Sequence, residues 1–165
     1  MADAYGGGIL RLDDRGRLQL PIVPQVHKNS FLIMTPGLEG CIQVFTDESW
    51  RDFVAWFQRL PRFDQRKVKL ARVLIGMAHE VYLDAQGRAV IPEELLRHAK
   101  AEAQNKDKTN DAKRTVRLVG MLDHWEIWQV DRFKAHTGEV FQDPEQCKAE
   151  LEALEAASNS ANGEA

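Results

Sequence analysis

The sequence predicts an α+β chain of two tandem β modules joined by a helical hairpin, and three observations carry that prediction. The first is a ten-residue phrase written twice: Leu12-Asp13-Asp14-Arg15-Gly16-Arg17-Leu18-Gln19-Leu20-Pro21 returns as Leu83-Asp84-Ala85-Gln86-Gly87-Arg88-Ala89-Val90-Ile91-Pro92. The second is that the likeness continues, with Gly37–Phe45 aligning on Gly120–Trp128 and Trp50 on Phe133. The third is that apolar residues between the copies recur at helical spacing. Self-similarity of this kind dictates architecture. At 165 residues the chain amounts to about one domain. Each half is too small to bury a sufficient core alone, so the halves must pack together, exchange strands or oligomerise.

The elements follow in order. Ile9–Leu12 leads into a tight turn at Asp13–Gly16, and Arg17–Leu20 leads out, which reads as a hairpin. Gly16 supplies positive φ and Asp13 can accept hydrogen bonds from turn N–H groups. Val81–Leu83, the turn at Asp84–Gly87 and Ala89–Ile91 repeat the pattern. Pro92, Glu93 and Glu94 then open a helix of about three turns through Leu95, Leu96 and Ala99. In the first copy Pro24 predicts a shortened or delayed helix. Strands return at Phe31–Met34 and Cys41–Phe45, and again at Val116–Val119 and Trp125–Trp128.

Thr46, Asp47 and Glu48 start a helix with Trp50, Phe53, Val54 and Phe57 on one face, read as core, and Pro61 ends it. A second helix, about Phe63 to Ala78, aligns Leu70, Val73, Leu74 and Met77. Asp143-Pro144-Glu145-Gln146 opens a last helix that frays by Ser158. The expected organisation is a flexible tail over 1–8, a first module over 9–56, a helical linker over 57–79 and a second module over 80–136. Residues 101–115 form a polar insertion, and 137–165 an acidic helix with a disordered end.

The net charge of −3 conceals a division. From Glu139 to Ala165 there are seven acidic residues and one lysine, which leaves the preceding body at +3. No apolar run is long enough to span a bilayer, and no targeting segment is visible, so a reduced, cytoplasmic setting is expected. Cys41 and Cys147 lack metal-site or framework spacing, and Cys41 reads as a small buried hydrophobe. The five histidines show no metal-ligand spacing. His79 beside Glu80 is the nearest approach to an acid–base pair, and no nucleophile turn or phosphate loop exists. An enzyme is not expected, nor any cofactor, metal or small-molecule substrate.

Candidate function therefore falls on the turns. Arg15 and Arg17 project from one, and Arg88 with Gln86 from the other. An arginine fork can clasp phosphate or a guanine edge, and glutamine can match adenine. Equally, Asp13 with Arg17 and Asp84 with Arg88 could be turn-stabilising pairs, with Gly16 and Gly87 structuring the turns, that touch no ligand. Arg62, Arg66 and Lys69 share a helical face that is either solvated surface or lies beside phosphates.

The doubled L-D-x-x-G-R-x-x-[LI]-P phrase, Gly37-Leu38-Glu39-Gly40-Cys41-Ile42, Trp125-Glu126-Ile127-Trp128 and the Leu74–Val81 segment together resemble the MraZ family of bacterial transcriptional regulators, over about Ile9 to Phe133. The resemblance implies tandem AbrB-like modules with swapped-hairpin β structure, assembled into a ring. It implies D-x-x-x-R turns, here Asp13 to Arg17 and Asp84 to Arg88, that bind short DNA repeats upstream of the division and cell-wall gene cluster. Arg15 is an adjacent contact on that reading, double-stranded DNA is the partner, and the nucleoid is the location. The alternative is an antitoxin-like interaction module whose acidic tail, Glu139–Ala165, engages a protein partner.

Overall fold

The computed structural model describes residues 4–21, 31–101 and 111–162. The chain divides into two compact units, Met1–Val130 and Asp131–Ala165.

Among the described residues of the first unit, eight strands form two sheets. β1 (Gly7–Arg11), β3 (Phe31–Pro36), β4 (Ile42–Phe45), β5 (His79–Tyr82), β7 (Thr115–Gly120) and β8 (Trp125–Gln129) make a six-stranded antiparallel sheet in the order β1-β7-β8-β4-β3-β5. β2 (Arg17–Gln19) and β6 (Arg88–Val90) make a separate two-stranded ribbon. The aligned strands of the two copies, β1 with β5, β7 with β3 and β8 with β4, occupy mirror positions about the β4/β8 seam. There Ile42 faces Ile127 and Val44 faces Trp125.

The hairpins expected from local pattern differ from what forms. Each turn closes, but its arms then part: β1 pairs with β7, β5 with β3, and β2 with β6. Burial explains the choice. Leu18, Leu20, Ala89 and Ile91 are all nearly inaccessible, and a hairpin confined to one copy would leave that apolar side without a lid. The residues up to Gly8, expected as a tail, are drawn in from Ala4, whose N–H donates to the Leu122 carbonyl over 2.6 Å and whose carbonyl accepts in return. Gly7 and Gly8 already lie opposite Val119 and Leu118.

The core is one cluster that includes Leu12, Leu32, Met34, Val116, Leu118 and Ile127. α3 (Glu93–Ala99) covers it with Leu95, Leu96 and Ala99. This helix is two turns long, not three: Pro92 stands before its first residue and Lys100, at φ 55°, ends it. The first-copy helix expected near Pro24 lies outside the described residues. Cys41 is buried as expected, and burial, with Glu126 nearby, pushes its thiol up to about 12.

α1 (Asp47–Gln58) begins at Thr46, whose hydroxyl accepts from the Ser49 N–H at 3.2 Å. Phe45, Trp50 and Phe53 pack against one another, Trp50 stacked on Phe53 and edge-on to Phe45, with ring centres 5.3–5.5 Å apart. The expectation that 50–57 is core holds fully only for Phe57; Trp50 and Phe53 are half-buried and Trp56 is 49% exposed. α2 (Gln65–Leu74) is shorter than its periodicity predicts. Only Leu74 of its apolar face is buried, while Leu70, Val73 and Met77 reach solvent. Arg62 lies ahead of this helix, so it does not share a helical face with Arg66, which pairs with Asp64.

The second unit carries α4 (Val130–Gln142) and α5 (Pro144–Asn162). Asp143 caps α5, accepting from the N–H groups of Glu145 and Gln146 at 3.1 and 3.2 Å. Fraying at Ser158 is not observed: the helix continues to Asn162, as its alanines, strong helix formers, favour.

Candidate nucleic-acid interface

Both turns are built by one carboxylate bonded in the same way. Asp13 Oδ1 accepts from the N–H groups of Arg15 and Arg17 at 2.8 and 2.9 Å, and its Oδ2 accepts from Arg17 Nε at 2.6 Å. Asp84 Oδ1 accepts from the N–H groups of Gln86 and Arg88, both at 2.9 Å, and its Oδ2 from Arg88 Nε at 2.7 Å. Gly16 and Gly87 close the turns at φ 73° and 76°, a region that L side chains enter only at a cost. Their N–H groups donate to the carbonyls of Asp13 and Asp84.

The electrostatics follow from that bonding. The Arg17 N–H is the chief influence that lowers the Asp13 carboxyl to about 2, aided by the guanidinium, with desolvation opposing. The Arg88 N–H lowers Asp84 in the same manner. Each carboxylate is therefore an anchor behind an arginine, and it occupies Nε. The terminal nitrogens form the fork that can grip phosphate or guanine, and at the second turn Arg88 Nη2 also donates to Gln86 Oε1 at 3.4 Å. The side chains of Arg17 and Arg88 are 29% and 35% exposed, held but accessible.

The ribbon then joins the two turns. Arg17 lies opposite Val90, Leu18 opposite Ala89, and Gln19 opposite Arg88. Opposed residues of an antiparallel pair share a face. Because Leu18 and Ala89 are buried, Arg17, Val90, Gln19 and Arg88 together form the outer face. Cross-links tie each strand to the other turn: Ile91 N–H donates to the Gly16 carbonyl at 2.9 Å and Leu20 N–H to that of Gly87 at 3.2 Å. Gln19 Nε2 donates to the Gln86 carbonyl at 2.7 Å.

All four sequence-designated side chains, Arg15, Arg17, Gln86 and Arg88, thus sit at the ends of one short ribbon. Three further residues escaped the sequence reading. Gln19 and Val90 join the outer face; alternation with Leu18 and Ala89 marks both as outward, but only the strand pairing reveals their neighbours. Arg114, in a 3-10 turn over Asp111–Arg114 within the expected insertion, pairs through Nη2 with Asp14 and steadies the first turn. The rest of that insertion, 102–110, lies outside the described residues. Arg62 and Lys69 are exposed surface, and His79 pairs with Glu94 rather than with its neighbour Glu80.

Among the described residues no group of three or more His, Cys, Asp or Glu side chains could hold a metal ion, and no helix is long and apolar enough to cross a membrane. The sequence profile of the family described as "MraZ protein, putative antitoxin-like" matches residues 74–154. Relatives named "Transcriptional regulator MraZ" match over far more of the chain. That of Lachnoclostridium phytofermentans is 31% identical over 129 residues, 76% of this chain and 81% of the relative. That of Ligilactobacillus salivarius is 30% identical over 78% and 82%, and that of Shewanella baltica 27% over 93% of each. This chain belongs to the MraZ family.

Proposed function

We propose that this protein is a sequence-specific DNA-binding transcriptional regulator that grips duplex DNA with the β2–β6 ribbon. The observation that supports the reading most is the outward pair Arg17 and Arg88, each fixed from behind by an aspartate in a matching turn. A two-stranded ribbon fits the major groove, and Arg forks there clasp guanine O6 and N7. Two residues along a strand span about 7 Å, close to two base-pair steps, so both turns can address neighbouring bases. The names carried by its relatives support the same reading.

On this reading residues 9–56 and 80–136 are swapped-hairpin AbrB-like modules linked by 57–79. Copies assemble into a ring that offers successive ribbons to short repeats, which gains avidity without new contacts. The exposed apolar side chains of Trp56, Phe63, Leu70, Val73 and Met77 support self-association. The target inferred from the family likeness is the promoter of the division and cell-wall gene cluster, the setting cytoplasmic and nucleoid-associated, and no catalysis is involved.

The deciding experiment compares the full chain with its Arg17→Ala/Arg88→Ala double variant on DNA recovered from a random pool. Specific binding should vanish in the variant while its circular dichroism stays unchanged. Wild-type affinity should fall with salt at a slope of about −0.9 per phosphate neutralised. A double variant that keeps specific binding overturns the reading.

A second reading, an antitoxin-like module, is favoured by α5, an acidic helix on which Leu151 and Leu154 are 58% and 70% exposed. It requires a basic protein that co-purifies stoichiometrically and is lost when 144–165 is deleted; without such a protein the reading fails.

A further inference from the structure

Two surfaces of this protein are amphipathic, opposite in charge and open. The first is a groove of about 510 Å³ between α1 and α2. Phe57, Val68 and Ile75 give it an apolar floor, and Arg62, Lys67 and Arg72 line it with positive charge. Among the described residues no carboxylate lines it. Lys67 is fixed in place: its Nζ donates to the carbonyls of Gln58 and Leu60 at 3.1 and 2.6 Å and lies 5.7 Å from the centre of the Phe57 ring. Carbonyls at a helix end lack donors within the helix, so these bonds hold the end of α1 against α2 and shape the groove. Arg62 and Arg72 are exposed.

The second surface is one side of α5. Cys147, Leu151 and Leu154 recur at i, i+4 and i+7 and form a single apolar stripe. The same periodicity sets Glu150 on one border of the stripe and Glu155 on the other. Cys147 is the only partly buried residue among those described in this helix, and Leu151 and Leu154 are exposed. Isolated helices are marginal in water and gain stability chiefly by packing such a stripe. From Cys147 to Leu154 the stripe rises about 10 Å, which fits within the roughly 15 Å length of α2.

The two surfaces match feature by feature, an apolar stripe for an apolar floor and glutamates for a basic rim. We propose that α5 of one copy lies in the α1–α2 groove of the next, with Leu151 and Leu154 as its anchors. Amphipathic helices bind hydrophobic grooves in this way, and opposed charges at the rim fix the register. The proposal deepens the self-association reading above by naming the surfaces that meet. Groove and helix are different surfaces, so the contact is heterologous. Each copy passes its own helix onward to another groove, and such a series closes into a ring when the rotation permits. A groove-to-groove contact would instead stop at two copies and set like charges face to face.

The test is sedimentation velocity on the full chain and on two charge-reversed variants, Arg62→Glu/Arg72→Glu and Glu150→Lys/Glu155→Lys, with folding checked by circular dichroism. All four positions are exposed. Each variant alone should need about tenfold more protein than wild type to assemble, and the gap should narrow at high salt. Mixed in equal amounts the two should regain assembly, because the reversed groove of one accepts the reversed helix of the other. Leu151→Asp/Leu154→Asp should cost about 100-fold, and neither charge variant should rescue it. Assembly that survives both reversals, as it would if α5 served a different protein, overturns the proposal and leaves self-association standing. Reversals that weaken assembly without rescue on mixing also overturn it. A wild type that sediments as a single chain at every concentration ends the self-association reading and the groove contact together.

Discussion

Around Asp13 and around Asp84 the bonds that shape the backbone agree within 0.2 Å, yet the side chains presented by the two turns diverge. The first has Asp14 tied to Arg114, Arg15 as a second cation and Val90 across the strand. The second has Ala85, Gln86 and Gln19 in those places. Duplication has kept the machinery that holds an arginine and has released the residues around it. Holding depends on a carboxylate, two N–H groups and a glycine, all of which must match a single geometry. The neighbours are exposed and bear no such constraint.

The sharpest way to break this comparison is to remove the arginines one at a time. Arg88→Ala should weaken specific DNA binding by about 100-fold, and Arg17→Ala by about 10-fold, a bidentate base contact being worth roughly that range. The inequality arises because Arg15 stays beside the vacated position and can still meet phosphate, whereas Gln86 brings no charge. Titration of a fixed duplex by fluorescence anisotropy measures both. Equal losses would mean that Arg15 contributes nothing at the first end.

The sequence made the arginines legible because their chemistry is local. Asp, Gly and Arg at fixed spacing define a turn, and the repetition of that spacing removed chance as an explanation. It also made the six-stranded sheet's components legible through alternation and β-branched runs. The partners of those strands were not legible. Nothing local to Arg17–Gln19 distinguishes pairing with β1 from pairing with β6, and the choice is made by burial of Leu18 and Ala89 against the whole core. Gln19 and Val90 were invisible as site residues for the same reason. Arg114 was hidden by its neighbours: a polar, lysine-rich stretch reads as surface, and only the fold brings it to Asp14.

A second comparison concerns the glycines. Gly16→Ala and Gly87→Ala should each destabilise the protein by about 1–2 kcal/mol, because both residues are buried and hold positive φ. Urea unfolding followed by tryptophan fluorescence checks this. Near-equal costs would sharpen the claim that the two turns are one device; a cost at one turn alone would break it.

The carboxylates provide a test of sign. Asp13→Asn and Asp84→Asn each remove a negative charge from a surface proposed to face phosphates, so simple electrostatics predicts tighter binding. If each aspartate instead holds its arginine in place, specific affinity should fall about tenfold while non-specific affinity rises slightly. Competition with unrelated duplex separates the two. The acid response follows from the same bonds. Asp13 has a folded value, about 2, below its ordinary 3.8, so its stabilisation is complete above 3.8 and is lost as pH falls through about 2. Carbon-detected NMR of the Asp13 and Asp84 carboxyls should place both midpoints below 3.8. The pH dependence of binding between pH 5 and 8 should owe nothing to the titration of either group.

The smallest expected effect isolates the Asp14–Arg114 pair, which has no counterpart at the second turn among the described residues. Asp14→Ala deletes the contact with Arg114, and since the Asp14 side chain is 85% exposed the loss should not exceed about 1 kcal/mol. Its signature should be local. Arg114 Nε has no hydrogen-bond partner among the described residues, so without Asp14 the guanidinium loses an anchor that holds β7 to the first turn. Amide hydrogen exchange at Arg15 and Gly16 should accelerate, while Gln86 and Gly87 stay at the wild-type rate. The converse substitution, Ala85→Asp, should change neither turn, because Phe31, which aligns with Arg114 in the first copy, offers no cation. Should Asp14→Ala leave the first turn exchanging as slowly as before, the Arg114 link would carry no structural weight, and the difference between the ends would lie wholly in what they present to DNA.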